Sequence, residues 1–244
     1  MEKAEDTAMI AARETAARNP AQPPPRLPRD AASAIKVFAN HPSTQFIALA
    51  TIAAAAARLW AGHFSWIDAA AALGVWAYFP VNEWLIHVFI LHFKPVKLFG
   101  RTLDFYLPKT HRRHHAEPWN LDWIFIPRHV HALSFPVFAL IGVLAYAWGG
   151  RSVGGPVLSG IAIYLLLGLH YEWVHYLAHI PWCPNLAYYK RRVREHRWHH
   201  FRNENYWWGV SMGLGDRIFG TAPLVEETGR SGTTATIGVT ERMP

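Results

Sequence analysis

Four long apolar stretches dominate this chain, and most of its histidines are clustered near their ends. The stretches cover about residues 45–62, 67–93, 132–148 and 157–178. Each approaches the roughly 20 apolar residues that an α-helix needs to cross a bilayer, although the first is Ala-rich and contains Arg58. Polar breaks at 62–66 and 149–156 suggest two helical hairpins. The pattern predicts an all-α integral membrane protein with about four transmembrane helices.

The composition supports a membrane protein and excludes several other classes. With 244 residues, 51% hydrophobic and 17% charged, the chain is long enough for one domain with several spans. Its single cysteine, Cys183, excludes a disulfide framework and a cysteine-based zinc site. The formal net charge is +7, but the basic residues flank the apolar stretches and alternate with Trp and Tyr. That arrangement fits a membrane surface, and no nucleic-acid partner is predicted.

Lysine and arginine are concentrated before the first apolar stretch, between the second and third, and after the fourth. The two hairpin tips contain essentially Arg58 and Arg151. By the positive-inside tendency, both termini and the central loop face the cytoplasm of a bacterial inner membrane or the endoplasmic reticulum. We therefore expect a mobile cytoplasmic arm at residues 1–43, a membrane domain at 44–224 and a mobile C-terminal tail at 225–244.

Ten of the fifteen histidines form four clusters, all on the predicted cytoplasmic side, where they would build a histidine-rich helical cap. The clusters are His87 with His92; His111, His114 and His115; His175 with His179; and His196, His199 and His200. Each three-histidine cluster spans roughly a 100° arc of a helix, and His175 and His179 are one turn apart. His87 and His92 lie about 140° apart on an ideal helix, so without a bend they are expected to serve two ions. His170 lies about 180° from His179 and is excluded.

The clusters are hard to explain without metal. A lone histidine at a membrane interface usually has a structural role, which we assign to His41, His63, His129 and His131. Two His-x-x-His-His groups differ, because neutral imidazoles packed together need metal or hydrogen bonds, and charged ones repel. Imidazole suits zinc, iron, copper or nickel, so the ligand type alone does not choose the metal. Ten ligands exceed the needs of one ion, whereas two ions with four or five nitrogens each would use them all.

Other metal and nucleotide motifs are absent from the sequence. It contains no His-Glu-x-x-His, no Gly-x-Gly-x-x-Gly and no phosphate loop, which disfavours zinc peptidases of that type and nucleotide-binding enzymes. The Glu-x-x-His spacing of soluble carboxylate di-iron bundles occurs only at Glu172 and His175. Several carboxylates near the clusters are candidates to orient imidazoles, although a structural or solvated role is favoured for each one alone. They are Glu83, Glu117, Glu172, Glu195, Glu204 and Asp216.

Read in order, the motifs are His87-Val-Phe-Ile-Leu-His92, His111-Arg-Arg-His114-His115, His175-Tyr-Leu-Ala-His179 and His196-Arg-Trp-His199-His200. Over about residues 80–223 the chain resembles the fatty acid hydroxylase and sterol desaturase superfamily of integral-membrane, histidine-rich oxygenases. Finer features are similar to the branch that hydroxylates fatty acyl chains, including those of sphingolipids, at the 2-position. These features are residues 118–127, Tyr171-Glu172, 209–211 and 216–221.

The resemblance implies an oxidoreductase, a membrane-bound di-iron monooxygenase of lipid acyl chains, with the ten clustered histidines as metal ligands. Molecular oxygen would be the co-substrate, and zinc in a purified sample would be a substitution, because zinc cannot supply the oxidant that a C–H bond requires. Members of that branch often carry an N-terminal haem domain, for which this chain has no room. Electrons are therefore expected from a separate protein, a ferredoxin or a small b-type cytochrome with its reductase.

Two alternatives stay open at this point. Sterol or carotenoid oxidation, or desaturation, would use the same site and yield a different product. A non-enzymatic membrane metal-binding or transport protein would use the histidines to hold zinc. Transport predicts a polar path across the membrane, whereas the outer halves of the apolar stretches are apolar.

Overall fold

The computed structural model describes residues 23–24 and 26–239, and this part of the chain is mainly helical, as predicted. Its α-helices are α1 Ala31–Asn40, α2 Pro42–Ala61, α3 Trp66–Leu85, α4 Tyr106–Ala116, α5 Arg128–Ala178, α6 Ala187–Phe201 and α7 Leu214–Phe219. A π-helix, Ile86–Leu91, continues α3, and 3-10 turns cover Leu121–Trp123 and Val225–Glu227. An antiparallel hairpin of β1 Val96–Leu98 and β2 Arg101–Leu103, with Lys97 opposite Thr102, was not predicted.

The long helix α5 is two antiparallel helices joined at Gly150. This glycine has non-helical torsions, with a φ of 57° that favours glycine over other residues. The ring centroids of Phe138 and Tyr164 are 5.5 Å apart, whereas 26 residues of straight helix would separate them by about 39 Å. Residues 128–149 and 151–178 therefore form a hairpin, and its turn falls in the predicted polar break.

Among the described residues, two helical stretches are long and apolar enough to cross a membrane, Pro42–Ala61 and Leu121–Ala178, and the second contains both arms of the α5 hairpin. Their apolar side chains point largely outward: Leu49 is 66% exposed, and Val143 is 64% exposed. The helix α3 between them carries Asp68, Asn82 and Glu83. Large outward-facing apolar surfaces on paired helices fit a lipid environment, because contact with the hydrocarbon core of a bilayer keeps these surfaces out of water.

A buried ion pair ties the tips of these helices together. Arg58 Nε lies 2.7 Å from Asp68 Oδ1, and both side chains are almost fully buried. Ser159 donates to the same carboxylate at 2.8 Å, so α2, α3 and the second arm of α5 meet at one polar point. Arg58, which interrupts the first apolar stretch, is therefore paired rather than isolated.

Both ends of the described chain pack on the helices. The helix α1 accepts a hydrogen bond from Tyr176 Oη at the Ala34 carbonyl, 3.3 Å away. At the other end, Ile237 is buried and Ser231 N donates to the Arg202 carbonyl at 2.8 Å. Residues 31–43 and 225–239 thus contact the domain predicted at 44–224. Residues 1–22 and 240–244 lie outside the described residues, and for them the arm and tail stay predictions.

Candidate metal centre

All ten clustered histidines come together in two groups of five. Within each group the candidate ligand atoms lie within 4.8 Å of one another. Nine of the ten side chains are buried, and His92 is half-buried. Site A consists of His87, His92, His111, His115 and His199. Site B consists of His114, His175, His179, His196 and His200.

The π-helix brings His87 and His92 into the same site. The prediction that these two residues serve different ions assumed α-helical spacing, and it is wrong about their placement. His92 N donates to the His87 carbonyl at 3.1 Å, the five-residue spacing of a π-helix. The wider turn places residues five apart on one face, so the two ring centroids are 5.1 Å apart.

The other motifs divide their histidines between the two sites. On α4, His111 and His115 are one turn apart and belong to site A, whereas His114 belongs to site B. On α6, His199 belongs to site A. The flanking pair, His196 and His200, is one turn apart and belongs to site B. Each cluster presents one imidazole face, as predicted, but on α4 and α6 that face spans both sites.

The Nε2 atoms converge as ligands around an ion would. In site A, those of His87 and His111 are 3.2 Å apart. In site B, His196 Nε2 lies 3.0 Å from that of His179 and 3.1 Å from that of His200. Two nitrogens at right angles around an ion, each at the 2.0–2.1 Å of a zinc–imidazole bond, would be about 3 Å apart. The residues therefore fit two metal ions.

Backbone carbonyls fix the tautomer of three site A histidines. His87 Nδ1 donates to the Trp208 carbonyl at 2.6 Å, and His199 Nδ1 donates to that of Tyr206 at 2.8 Å. His115 Nδ1 donates to the carbonyl of Thr234 at 2.8 Å. Because a carbonyl only accepts, each Nδ1 carries the proton and each Nε2 keeps its lone pair for a metal.

Burial keeps the histidines of α4 and α6 neutral. Desolvation lowers the pKa of all six well below the ordinary histidine value, and neighbouring imidazoles lower the pKa further. For His115 the pKa falls to about 3. Neutral imidazole is the form that binds metal, so these histidines of both sites can bind a metal ion at neutral pH without losing a proton.

The predicted carboxylates make no hydrogen bond to these histidines within the described residues. Two of them bind the backbone of the loop at residues 208–211, which in turn contacts His87. Asp216 accepts from Trp208 N at 2.9 Å and from Gly209 N at 2.7 Å, which holds the loop whose carbonyl binds His87. Glu83 accepts from Ser211 N at 2.5 Å in the same loop. The others accept from neighbouring groups: Glu117 from Asn120, Glu172 from Ser43 and Ile126, Glu195 from Arg191 and Arg192, and Glu204 from Thr233.

Sequence reasoning missed Trp208, which packs edge-on against the His92 ring at a centroid distance of 4.4 Å. His131 lies outside both sites and has a structural role, as predicted: it is buried, and its Nε2 lies 2.8 Å from Ser43 Oγ, which donates to Glu172 at 2.8 Å. His170 lies outside both sites, as predicted, and its Nε2 is 2.6 Å from Tyr188 Oη.

A cavity of about 860 Å³ reaches site A from the helices. His87 and His111 line one part of it, and no histidine of site B does. Its apolar lining includes Ile47 from α2, Phe79 from α3 and Leu165 from α5. An apolar group would be stabilised in such a space, because burying it removes hydrocarbon surface from water.

Comparisons with known proteins agree with this geometry. The sequence model of the fatty acid hydroxylase family matches residues 71–221. A dihydroceramide fatty acyl 2-hydroxylase of Arabidopsis thaliana is 26% identical over 144 residues, which are 59% of this chain and 56% of that protein. The human fatty acid 2-hydroxylase is 30% identical over 142 residues, 57% of this chain and 36% of that protein. The chain thus spans little more than half the length of the Arabidopsis relative.

The fold is also similar to a solved structure, full-length scs7p, in which only the hydroxylase domain is visible. The TM-score is 0.51 at 19% sequence identity, covering 82% of this chain and 68% of that chain. At this identity the likeness concerns the fold alone. The residues matched by the family model, 71–221, include all ten histidines of the two sites.

Proposed function

Because this chain belongs to the fatty acid hydroxylase family, we propose that it hydroxylates the acyl chain of a membrane lipid at the 2-position, using one iron ion in each histidine site. One observation carries the proposal: two groups of five histidines lie beside an apolar cavity that site A helps to line. A metal store would have no need of such a cavity. The 2-position rests on the names of the relatives.

Iron, when bound, would supply the oxygen-activating redox chemistry that breaking a C–H bond requires. The chain's own residues bind and orient. The imidazoles hold the metals, the carbonyls of Tyr206 and Trp208 fix two of the rings, and the buried surroundings exclude water. The balance consumes one O₂, two electrons and two protons for each hydroxyl group formed, with one water released.

The cavity lining supports a lipid substrate that enters from the membrane side. Much of its apolar lining comes from α2, α3 and α5, whose outer surfaces are also apolar, and an entrance between these helices would let an acyl chain pass from bilayer to cavity without crossing water. We further propose four transmembrane helices, α2, α3 and the two arms of α5, with both termini cytoplasmic. A separate ferredoxin, or a small b-type cytochrome with its reductase, would deliver the electrons.

Lipid mass spectrometry on cells expressing the protein tests this function. Wild-type cells grown in air should accumulate acyl lipids with one added oxygen, located at carbon 2 by fragmentation, and His199→Ala should lose at least about 100-fold of this product. His63→Asn is the matched control, because His63 is exposed, lies outside both sites and has a φ of 51° that Asn tolerates.

Oxygen on another carbon, or on a sterol or carotenoid, would mean that the same site catalyses a related oxidation instead of 2-hydroxylation. No oxygenated product in cells that also express the donor proteins would contradict the hydroxylase function. Equal product in wild type and His199→Ala would contradict the site.

A further inference from the structure

We infer that the C-terminal segment, residues 225–239, is a working part of site A, in which the Thr234 carbonyl positions the ligand His115. The inference rests on the proposed function only in that site A holds a metal ion. This segment lies beyond residues 71–221, the part of the chain matched by the family model. It therefore lies outside the matched residues and contacts one of the two histidine sites.

The direct contact is the hydrogen bond from His115 Nδ1 to the Thr234 carbonyl at 2.8 Å. His115 Nε2 is buried and has no hydrogen-bond partner within the described residues. The ring lies 4.8 Å from that of His111 and 5.0 Å from that of His199, measured between centroids. Holding Nδ1 from outside thus points Nε2 at the other ligands, as a carbonyl acceptor does in other histidine metal sites.

The segment is anchored to the end of α6, the helix that carries His199. Arg202 Nε and Nη2 donate to the Thr228 carbonyl at 2.8 and 2.6 Å. In return Ser231 N donates to the Arg202 carbonyl at 2.8 Å, and Thr233 Oγ1 donates to the buried Glu204. These bonds hold residues 228–233, the stretch that leads to Thr234, against the end of α6.

Beyond Thr234 the segment closes on the other end of site A. Ile237 N donates to the Thr233 carbonyl at 2.7 Å, and the Ile237 side chain is buried. A Cβ at Gly238 would lie 3.0 Å from Nζ of Lys94, two residues after His92. The segment therefore runs from the His199 end of site A to its His92 end, and the cavity reaches the site through His87 and His111 instead.

Two truncations test the inference. A chain ending at Gly232 removes Thr234, and the matched control ending at Val239 removes only residues 240–244. Both proteins are purified in detergent, loaded with ferrous iron without oxygen and analysed for iron per chain. The control should hold two irons, and the shorter chain should hold one, because a lost outer partner weakens metal binding by roughly 10- to 100-fold.

A full-length variant covers the case in which the shorter chain fails to fold. Thr233→Ala removes the bond to Glu204 and keeps the backbone. It should release one of its two irons to a chelator several-fold faster than wild type, with the second unchanged. Circular dichroism and size-exclusion profiles confirm that each variant is folded.

Two irons with wild-type release rates in every folded variant would overturn the inference while leaving the proposed function standing. A wild-type chain that binds no iron would overturn both. A wild-type chain that binds two irons without hydroxylating lipid would contradict the proposed function alone, and the segment's role would still be read from the metal.

Discussion

Sites A and B each gather five histidines, yet they are held in different ways. Three rings of site A donate to backbone carbonyls of non-helical segments, at Tyr206, Trp208 and Thr234. The five histidines of site B lie on, or directly after, the helices α4, α5 and α6, and none of their Nδ1 atoms makes such a hydrogen bond within the described residues. Backbone contacts from Ile124 to His175 and from Pro118 to His179 are weaker, so site A depends more on non-helical segments than site B does. Site A is also the one that the cavity reaches.

This difference predicts two rates of iron release, faster from site A and slower from site B. The largest effect is expected for His196→Ala. This change removes a ring whose Nε2 lies 3.0 Å from that of His179 and 3.1 Å from that of His200. The slow phase of release to a chelator should disappear, the fast phase should remain, and hydroxylated lipid should fall at least about 100-fold. Loss of both phases would mean that the two sites are one cooperative unit.

Asp216→Ala should affect site A selectively. Its carboxylate is buried and accepts hydrogen bonds from Trp208 N, Gly209 N and Thr221 Oγ1. Losing them should lower the free energy of unfolding by about 2–4 kcal/mol and free the carbonyl that orients His87. The fast phase of iron release should accelerate, with the slow phase unchanged.

Asp216→Asn is the matched variant, since it keeps an acceptor at one oxygen, and its effect should be smaller. Thermal unfolding in detergent and chelator kinetics measure the two consequences separately. An unchanged fast phase in a folded Asp216→Ala protein would show that Trp208 does not depend on this carboxylate.

Acidification should destabilise the metal-free protein through both sites alike. The six histidines of α4 and α6 have a lowered pKa in the folded state, so below the ordinary value of about 6.5 the unfolded chain binds more protons. Stability is present above pH 6.5 and falls as pH decreases, by at most about 1.4 kcal/mol per pH unit for each histidine.

Melting temperatures of metal-free protein between pH 8 and pH 5 check this expectation. Three of the six histidines belong to each site, so replacing one from either site, His115→Gln or His200→Gln, should flatten the profile equally. A flat wild-type profile would contradict the burial of these rings. A difference between the two variants would show that the sites differ in their exposure to protons as well as in their support.

The same contrast explains what the sequence could predict. The ten candidate ligands and the helices that carry them follow from histidine spacing, because i and i+4 side chains share a helical face wherever the helix lies. The π-helix at His87 and the carbonyls of Tyr206, Trp208 and Thr234 left no signal. Every residue has a carbonyl, and only tertiary packing decides which one faces an imidazole.

The network of Ser43, His131 and Glu172 escaped prediction for a related reason. Ser43 lies 88 residues from His131 and 129 from Glu172 in the sequence, and neither Ser43 nor His131 belongs to a histidine motif. A lone histidine on an apolar helix gives no indication of its partner. The packing of the start of α2 against α5 makes the pair, and that contact depends on the whole helical arrangement.

The smallest effect is expected for Ser43→Ala, and it should appear in site B. Ser43 Oγ links His131 to Glu172, which lies one turn before His175. Removing the hydroxyl takes the hydrogen bond from the buried Nε2 of His131 and leaves Glu172 with Ile126 N as its donor, at a cost of about 1–3 kcal/mol in the free energy of unfolding. Ser134→Ala is the control, since within the described residues its hydroxyl bonds to its own helix alone, at 3.4 Å from the His131 carbonyl. The slow phase of iron release should rise by a few-fold at most while the fast phase stays constant. An accelerated fast phase instead would mean that the start of α2 supports the site beside the cavity, and the division of the centre into a helix-held site and a loop-held site would then fail.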